Sequence, residues 1–173
     1  MLKIKFTAIV VATLDGKIAQ DERHYSDWSS REDKIFLKYF LDQSDLIVVG
    51  NNTYKLIKPL QRRRCLVFTS QVKTISKKSE LCFYCNPQNV SLKNLFKKFN
   101  FSKIAILGGT KTYSLMLKEK LIDEIYLTIE PIIFGQGLNI FDLKLPPNFF
   151  KLISIKKLND KGSVLLYYSK IKT

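Results

Sequence analysis

The sequence predicts an α/β fold in three layers, with helices on both faces of a mostly parallel central sheet and an antiparallel edge at the C-terminal end. Short, continuously apolar segments alternate with helical segments from about residue 5 to residue 129, as in strands buried on both faces of a parallel sheet. Two alternating segments, at 150–157 and 163–170, follow with no helix between them and predict a closing antiparallel pair. We expect one domain covering 1–173.

The N-terminal elements are predicted from local composition. Residues 5–12 are β-branched and apolar and predict a strand that ends in the turn Leu14-Asp15-Gly16. A polar segment without periodicity follows at 19–30 and predicts a long loop. Ser30, as a possible N-cap with Asp33 three residues later, predicts the start of a helix whose apolar residues recur at helical spacing.

The same alternation continues along the chain and places several polar or glycine residues at the ends of strands. In open α/β sheets, ligands bind beyond the carboxyl ends of the strands. Gly50, Thr69-Ser70 and Gly108-Gly109 all follow predicted strands, so the sequence predicts a site at that edge. The remaining predicted strands are 45–50, 65–69, 81–84, 103–107 and 124–129, and the remaining predicted helices are 52–56, 91–99 and 110–118.

Composition narrows the classes of function. The formal net charge is +14, but the excess lysines are dispersed as on solvated faces, so a nucleic-acid partner is not expected. No segment reaches the roughly 18 apolar residues of a membrane span. Cys65, Cys82 and Cys85 lie in mostly apolar contexts, which argues against a disulfide framework and for a reducing cytoplasm. With no second Cys-x-x-Cys pair and His24 as the single histidine, no metal site is expected.

Asp33 is the main candidate for a reacting group. In the first turn of its helix it shares a face with Phe36 and Leu37, because residues three and four apart are neighbours on a helix. A carboxylate beside apolar side chains is poorly solvated, which raises its pKa and suits it to hydrogen-bond a protonatable nitrogen heterocycle. The same position also fits an exposed residue of an ordinary capped helix. The segment by itself leaves both interpretations open.

The Gly108-Gly109 pair is the clearest candidate for a phosphate-binding turn. Glycines after a strand allow the backbone to approach a pyrophosphate, and the N–H groups at the start of the next helix complement its charge. Such pairs also occur as plain turns.

Several motifs, in this order along the chain, resemble dihydrofolate reductase from about residue 5 to the C-terminus. The resemblance implies a dihydrofolate-reductase-like fold and NADPH-dependent reduction of 7,8-dihydrofolate, or a close pterin, to tetrahydrofolate by a cytoplasmic monomer or homodimer. The motifs are Trp28 five residues before Asp33, Gly50-x-x-Thr53-Tyr54, Pro59-Leu60 ahead of Arg63, Thr69-Ser70, Gly108-Gly109-x-x-x-Tyr113 and Tyr126-Leu127-Thr128.

The resemblance implies roles for the substrate-side residues. Asp33 would hold the pterin ring and favour protonation of the nitrogen that is reduced, Trp28 would order the flanking loop and a water, and Thr128 would hydrogen-bond the aspartate. Arg63 would pair with the substrate α-carboxylate, a contact for which lysine is a poor substitute. The other implied substrate contacts are Val11, Phe36 and Leu37.

The implied NADPH site uses both glycine turns, with Tyr113 beside the nicotinamide. Where the family has a basic residue this chain has Asn51, and Thr110 and Lys111 stand where the family has a glycine and an arginine. Preference for NADPH over NADH would therefore rest mainly on Lys111, Ser70 and nearby lysines. The implied cofactor contacts are Ala12, Ile18, Gly50, Asn51, Asn52, Thr53, Thr69, Ser70, Gly108, Gly109, Thr110, Lys111, Thr112 and Tyr113.

A second resemblance leaves an alternative substrate. The segments Leu14-Asp15-Gly16-Lys17-Ile18 and 134–141 resemble the reductase domain of riboflavin biosynthesis, which acts on a ribosylamino-pyrimidine phosphate. Those reductases typically carry Asp-Asp-Pro after their Gly-x-x-Thr turn to bind the ribityl phosphate, whereas this chain has 54–59, Tyr-Lys-Leu-Ile-Lys-Pro. With Asp33 and Arg63 present, we expect folate and keep the pyrimidine as the alternative. A third possibility is a non-catalytic nucleic-acid-binding or anion-binding protein with the same fold.

Overall fold

The computed structural model describes residues 3–24, 26–142 and 147–171. The strands of this part of the chain are β1 (Lys5–Thr13), β2 (Lys17–Ala19), β3 (Leu46–Gly50), β4 (Cys65–Phe68), β5 (Ile75–Lys77), β6 (Cys82–Cys85), β7 (Lys103–Ile106), β8 (Glu124–Glu130), β9 (Leu138–Asn139), β10 (Phe150–Lys157) and β11 (Val164–Lys170). The α-helices are α1 (Arg31–Asp42), α2 (Asn51–Leu56), α3 (Leu92–Lys98) and α4 (Thr110–Lys118), and short 3-10 turns cover Ser26–Trp28 and Lys58–Arg62.

Nine of these strands form one sheet in the order β10-β11-β8-β1-β7-β3-β4-β6-β5. The six strands from β8 to β6 are parallel, and β10 and β11 close one edge in antiparallel fashion. The predicted α/β class with an antiparallel C-terminal edge is therefore confirmed. The opposite edge also carries an antiparallel strand, β5, which was not predicted because the strand has only three residues and most of them are exposed.

The parallel strands are apolar on both faces because helices cover both. Along β3, Val48 belongs to the core beneath α3 and α4, whereas Ile47 and Val49 belong to the core beneath α1. The first core includes Phe96 of α3 and Met116 of α4. This three-layer arrangement explains the continuous apolar segments in the sequence.

The start of α1 follows the predicted capping pattern. The Ser30 side chain accepts a hydrogen bond from the Asp33 backbone N–H at 3.3 Å, and Ser30 has extended backbone angles. Since an N-cap satisfies an N–H group that the helix itself leaves unpaired, this bond determines where the helix begins. The position of Asp33 in the first turn follows directly from that cap.

A small second sheet forms from segments that the sequence did not predict as strands. β2 pairs with β9 in antiparallel fashion, with Lys17 opposite Asn139 and Ala19 opposite Leu138. The turn before β2 is held through Asp15, which accepts the backbone N–H groups of Phe134 and Gly135. These bonds join the two segments that resemble riboflavin reductases.

Within the described residues, no helix has the length and apolar character needed to cross a bilayer.

Gly137 is required where this small sheet closes. Its φ is +141°, and a Cβ atom there would lie 2.2 Å from the backbone oxygen of Ala19. Gly135 also has a positive φ, +76°, but a Cβ atom there would meet nothing within 4 Å. Substitution of Gly135 therefore tests the unfavourable φ alone, whereas substitution of Gly137 adds a steric clash.

We expect Gly137→Ala to be far more destabilising than Gly135→Ala. Both substitutions carry the cost of an unfavourable φ, roughly 1–2 kcal/mol, but only Gly137→Ala pushes β9 away from β2. The difference in unfolding free energy should reach about 2 kcal/mol or more, measured by urea denaturation. Equal losses in the two variants would contradict this account of the close approach.

Candidate active site

A cleft of about 1230 Å³ lies beyond the carboxyl ends of the parallel strands. This volume exceeds the roughly 300–1000 Å³ typical of a site for one small ligand. Most of the predicted site residues line it, as the geometry of parallel sheets requires. The predicted residues in the lining are Val11, Ile18, Asp33, Leu37, Gly50, Asn51, Asn52, Thr53, Thr69, Ser70, Gly109, Thr110, Lys111, Thr112 and Tyr113.

Asp33 reaches the cleft from the first turn of α1, and its side chain is buried. It is 5% exposed, and its carboxylate hydrogen-bonds the hydroxyl groups of Thr128 and Ser29. Burial is the largest influence and raises the pKa of Asp33, which outweighs the two hydrogen bonds that lower it. The interpretation of Asp33 as an ordinary exposed helix residue is therefore wrong. A buried carboxyl of raised pKa can retain or donate a proton closer to neutral pH.

Thr128 lies beneath the cleft, outside its lining. The residue is 1% exposed and sits in the middle of β8, opposite Val11 of β1. Its hydrogen bond to Asp33 favours the ionised carboxylate and so lowers the pKa of Asp33. The structure thus brings Thr128 to the position predicted for it, although its role in a reaction stays a prediction.

Trp28 and Phe36 also lie outside the lining. The Trp28 ring packs on Phe134 with centroids 5.1 Å apart, and its buried Nε1 has no hydrogen-bond partner among the described residues. Phe36 packs against Tyr126 at 5.2 Å and against Phe40 at 6.0 Å. The predicted substrate contact of Phe36 is corrected accordingly, because its ring forms part of the core between α1 and the sheet.

The predicted substrate contact of Arg63 is also corrected. Its guanidinium forms an ion pair with Asp42 at the end of α1, and its Nη1 donates to the backbone oxygen of Pro59 at 3.1 Å. The pairing lowers the pKa of Asp42, with the Arg63 hydrogen bond as the largest cause. Arg63 therefore fastens the 3-10 turn to α1 and does not line the cleft.

The two glycine turns are in direct contact because β3 and β7 are neighbours in the sheet. The Gly50 N–H donates to the backbone oxygen of Gly108 at 2.7 Å. A Cβ atom on Gly50 would lie 3.0 Å from Thr112 Oγ1, and one on Gly109 would lie 3.5 Å from Thr53 Oγ1. The start of α2 and the start of α4 thus face one stretch of the cleft.

Gly108 lies directly against the Tyr113 ring, which lines this part of the cleft. The peptide bond between Gly108 and Gly109 is cis. Gly108 has φ +86°, and a Cβ atom there would lie 2.5 Å from the Tyr113 ring, so only glycine fits. The buried Tyr113 hydroxyl donates to the backbone oxygen of Ile9, and burial raises the pKa of Tyr113. Gly108 and Ala12 lie outside the lining, so direct cofactor contacts predicted for them are not supported.

The charge of the cleft differs from that of the whole chain. Although the net charge is +14, the charged residues of the lining are mostly acidic. Among the residues that the structure describes, Lys111 and Lys118 are the only lysines of the lining, and none of the described lining residues is an arginine. The acidic members are Asp21, Glu22, Asp33, Glu119 and Asp142. Any anionic ligand would therefore depend on these two lysines and on backbone N–H groups.

Several lining residues were missed from the sequence. Asn86 and Pro87 follow β6 directly, so the rule that identified Gly50 could also have identified them. Leu138 and Asn139 reach the cleft through β9, a strand of two residues with no periodic signal. His24 lines the cleft from the polar loop, where its Nδ1 accepts the Gln20 backbone N–H at 2.9 Å.

Removing the Thr128 hydroxyl should raise the pH at which Asp33 titrates. Thr128→Val keeps the shape of the side chain but removes the hydrogen bond that favours the ionised carboxylate. The measurement is carboxyl ¹³C NMR as a function of pH, with Asp33→Asn to assign the signal. Thr7→Val is the matched control, because Thr7 is also buried in the sheet but bonds to Glu124. A lower or unchanged midpoint in Thr128→Val would contradict the assigned hydrogen bond.

Comparison with known proteins identifies a family. Residues 57–165 match the family described as the RibD C-terminal domain. The matched span includes the Gly108-Gly109 turn and Thr128, whereas Asp33 precedes it. The chain is also similar to the uncharacterized protein YwjB of Bacillus subtilis (strain 168), at 27% identity over 168 residues that cover 92% of this chain and 90% of that one.

Solved structures of low sequence identity share the fold. A pyrimidine reductase-like protein of Corynebacterium diphtheriae has a TM-score of 0.72 and 16% identity, over 98% of this chain and 93% of that one. A diaminohydroxyphosphoribosylaminopyrimidine deaminase/5-amino-6-(5-phosphoribosylamino)uracil reductase of Thermotoga maritima has a TM-score of 0.71 and 19% identity over 98% of this chain. The present chain spans 57% of the length of the Thermotoga protein.

These findings correct the folate prediction. The dihydrofolate-reductase-like fold is confirmed, but the family match favours the riboflavin-type resemblance and makes the assignment to dihydrofolate reductase wrong. The Trp28 to Asp33 spacing and the glycine turns do not distinguish the two families. Arg63, on which the folate prediction also depended, is paired with Asp42. The chain belongs to the RibD C-terminal domain family.

Proposed function

We propose that this protein is a nicotinamide-dependent oxidoreductase that reduces an aminopyrimidine related to the 5-amino-6-(5-phosphoribosylamino)uracil named for the Thermotoga relative. The observation that carries the proposal is that the buried Asp33 lines the same cleft as both glycine turns, in a chain of the RibD C-terminal domain family. The active unit would be the single domain 1–173 or a homodimer of it.

The residues of the glycine turns fit the pyrophosphate of a dinucleotide. A Cβ atom on Gly50 or Gly109 would project into the narrow space between the two turns, so glycine leaves that space open. Asn51 follows Gly50, and within the described part of the chain its buried Oδ1 has no hydrogen-bond partner. Gly50, Gly109 and the first residues of α4 would hold NADPH, with Lys111 as the nearest cation of that helix. The bound nicotinamide would supply the hydride.

Asp33 would act on the substrate side of the cleft. Val11 and Leu37 line the same cleft with apolar surface, on which a planar ring can lie. The Asp33 carboxyl would hydrogen-bond the amidine-like edge of the ring, and its raised pKa would help to keep a proton available at a ring nitrogen. Most of the acceleration would come from orientation and electrostatics within the cleft.

The C-terminal end of α2 bears on the form of the substrate. It contributes the apolar residues Leu56 and Ile57 to the cleft in place of the expected Asp-Asp-Pro phosphate site. Substrate assays should therefore compare the ribosylamino-pyrimidine with and without its phosphate, each with NADPH. Dihydrofolate serves as the negative control in the same assay. If neither pyrimidine supports the oxidation of NADPH, the proposed substrate class is overturned.

Replacing the Asp33 carboxyl should abolish most turnover. Asp33→Asn keeps the size of the side chain but cannot exchange a proton near neutral pH, so turnover should fall by roughly 10²–10⁴-fold. NADPH oxidation is measured at saturating substrate. Asp42→Asn, on the exposed end of the same helix, is the matched control and should retain activity. Undiminished turnover in Asp33→Asn would rule out the proposed role.

The loss of turnover in Asp33→Asn should not come from unfolding. Burial raises the pKa of Asp33 above its value in the unfolded chain, so its ionisation lowers stability as pH rises from the unfolded to the folded value. Asparagine avoids that loss. The variant should therefore unfold at the same temperature as the parent protein or at a higher one near pH 7.

Filling the second glycine turn should weaken dinucleotide binding while the fold survives. Gly109 has φ −73°, which alanine tolerates, and the added methyl group would make only ordinary contact with Thr53 Oγ1. It would nevertheless occupy the space between the turns, so the dissociation constant for NADPH should rise about tenfold or more, or about 1.4 kcal/mol. Isothermal titration calorimetry measures the change. Tight NADPH binding by Gly109→Ala would show that the pyrophosphate does not lie there.

A further inference from the structure

Glu130 is a buried acid that the proposed reaction does not use. It ends β8 and is 5% exposed. Each of its carboxylate oxygens has its own partner: Oε1 accepts the Ser30 backbone N–H at 2.8 Å, and Oε2 accepts the Ser163 hydroxyl. Ser30 is the N-cap residue of α1, so Glu130 holds the point from which the helix starts.

The turn between β10 and β11 supports the same helix end. Asn159 Nδ2 donates to the Ser163 hydroxyl oxygen at 3.0 Å and to Glu32 Oε2 at 3.1 Å. Asn159 Oδ1 accepts the Ser163 backbone N–H at 3.2 Å. The hydrogen bond from Asn159 is the largest cause of the lowered pKa of Glu32. The C-terminal hairpin therefore contacts the first turn of α1 both through Glu130 and through Glu32.

Thr128 and Glu130 act on this turn from one side of the sheet. They are two residues apart on β8, and alternate residues of a strand share a face. Thr128 hydrogen-bonds the Asp33 carboxylate, while Glu130 hydrogen-bonds the backbone three residues earlier. The helix turn that carries Asp33 is thus fastened to β8 at its cap and at its carboxylate.

We propose that Glu130 is a positioning residue for Asp33, which clamps the first turn of α1 to the end of β8 and places a second buried negative charge beside the Asp33 carboxyl. The inference rests on the proposed function only in that Asp33 is the group that meets the substrate. Its physical content, the effect of one carboxyl on the other, does not depend on the substrate.

The charge of Glu130 acts on Asp33 in the same direction as burial. Burial is the larger cause of the raised pKa of Asp33, and Glu130 adds to it, whereas the Thr128 and Ser29 hydrogen bonds and the Lys34 charge oppose it. From α4, Tyr113 faces the same carboxyl, and burial and Asp33 both raise the pKa of Tyr113, so it stays neutral. From the loop after β2, the charged or titratable residues that line the cleft are Asp21, Glu22 and His24.

Glu130→Gln separates the clamp from the charge. Glutamine can still accept the Ser30 N–H, so a purely structural role would leave the titration of Asp33 unchanged. If the charge matters, Asp33 should titrate at lower pH in Glu130→Gln, measured by carboxyl ¹³C NMR without substrate. Glu124→Gln is the matched control, because Glu124 is a buried glutamate at the other end of β8 and bonds to Lys5 and Tyr167. An unmoved midpoint in folded Glu130→Gln would overturn the proposal.

Ser163→Ala keeps the proposal testable even if Glu130→Gln does not fold. It removes the hydroxyl that offsets the Glu130 charge but leaves the charge in place, so the Asp33 midpoint should rise. An unchanged or lower midpoint in Ser163→Ala would count against the proposal.

Activity provides a second, separable measurement. If an aminopyrimidine is reduced, the pH profile of turnover in Glu130→Gln should move to lower pH together with the Asp33 titration. A profile that stays in place while the titration moves would show that Glu130 does not position Asp33 for the reaction. If no aminopyrimidine is reduced, the titration still decides whether Glu130 acts on Asp33, so failure of the proposed function and failure of this inference remain distinguishable.

Discussion

The packing of the first turn of α1 against the end of β8 is the contact on which the candidate site depends. It buries Asp33, and burial is the largest cause of the raised pKa of that carboxyl. A helix start with no tertiary support would leave the carboxyl in water, where its ordinary pKa would make it an acceptor only. The support comes from three places. Ser30 caps the helix, Thr128 hydrogen-bonds the Asp33 carboxylate from within β8, and Glu130 hydrogen-bonds Ser30 from the end of β8.

The order of strands explains how the segments of the proposed dinucleotide and substrate sites come to lie in one cleft. β3 and β7 are adjacent, so the turns after them touch, and the hydrogen bond from Gly50 to Gly108 joins them. β1 lies on the other side of β7 and brings Val11 and the small sheet of β2 and β9 to the same edge. Parallel pairing of β1, β7 and β3 brings Val11 and the two glycine turns together, because these strands end at the same side of the sheet.

The distribution of charge shows why composition is a weak guide to the ligand. The chain is strongly basic, yet the described residues that line its cleft include more acids than lysines. The same point applies to Arg63. Its position in the sequence suggests a carboxylate ligand, but its guanidinium forms an ion pair with Asp42 of the same chain. The choice between folate and pyrimidine therefore could not be made from that arginine, and the family match favoured the pyrimidine.

Three features could be predicted from the sequence because each depends on residues within a few positions of one another. They are the alternation of apolar strands and helices, the Ser30 cap and the glycines at the strand ends. The sequence by itself thus determined the α/β class, the start of α1 and the strand ends at which the cleft lies. The sequence did not predict the pairing of β2 with β9, the partner of Arg63 or the hydrogen bond that Glu130 accepts from Ser30. Glu130 and Ser30 are 100 residues apart, and no local pattern marks their hydrogen bond. Only the tertiary structure decided which side chains face the cleft and how far Asp33 is withdrawn from water, because both depend on contacts between distant segments.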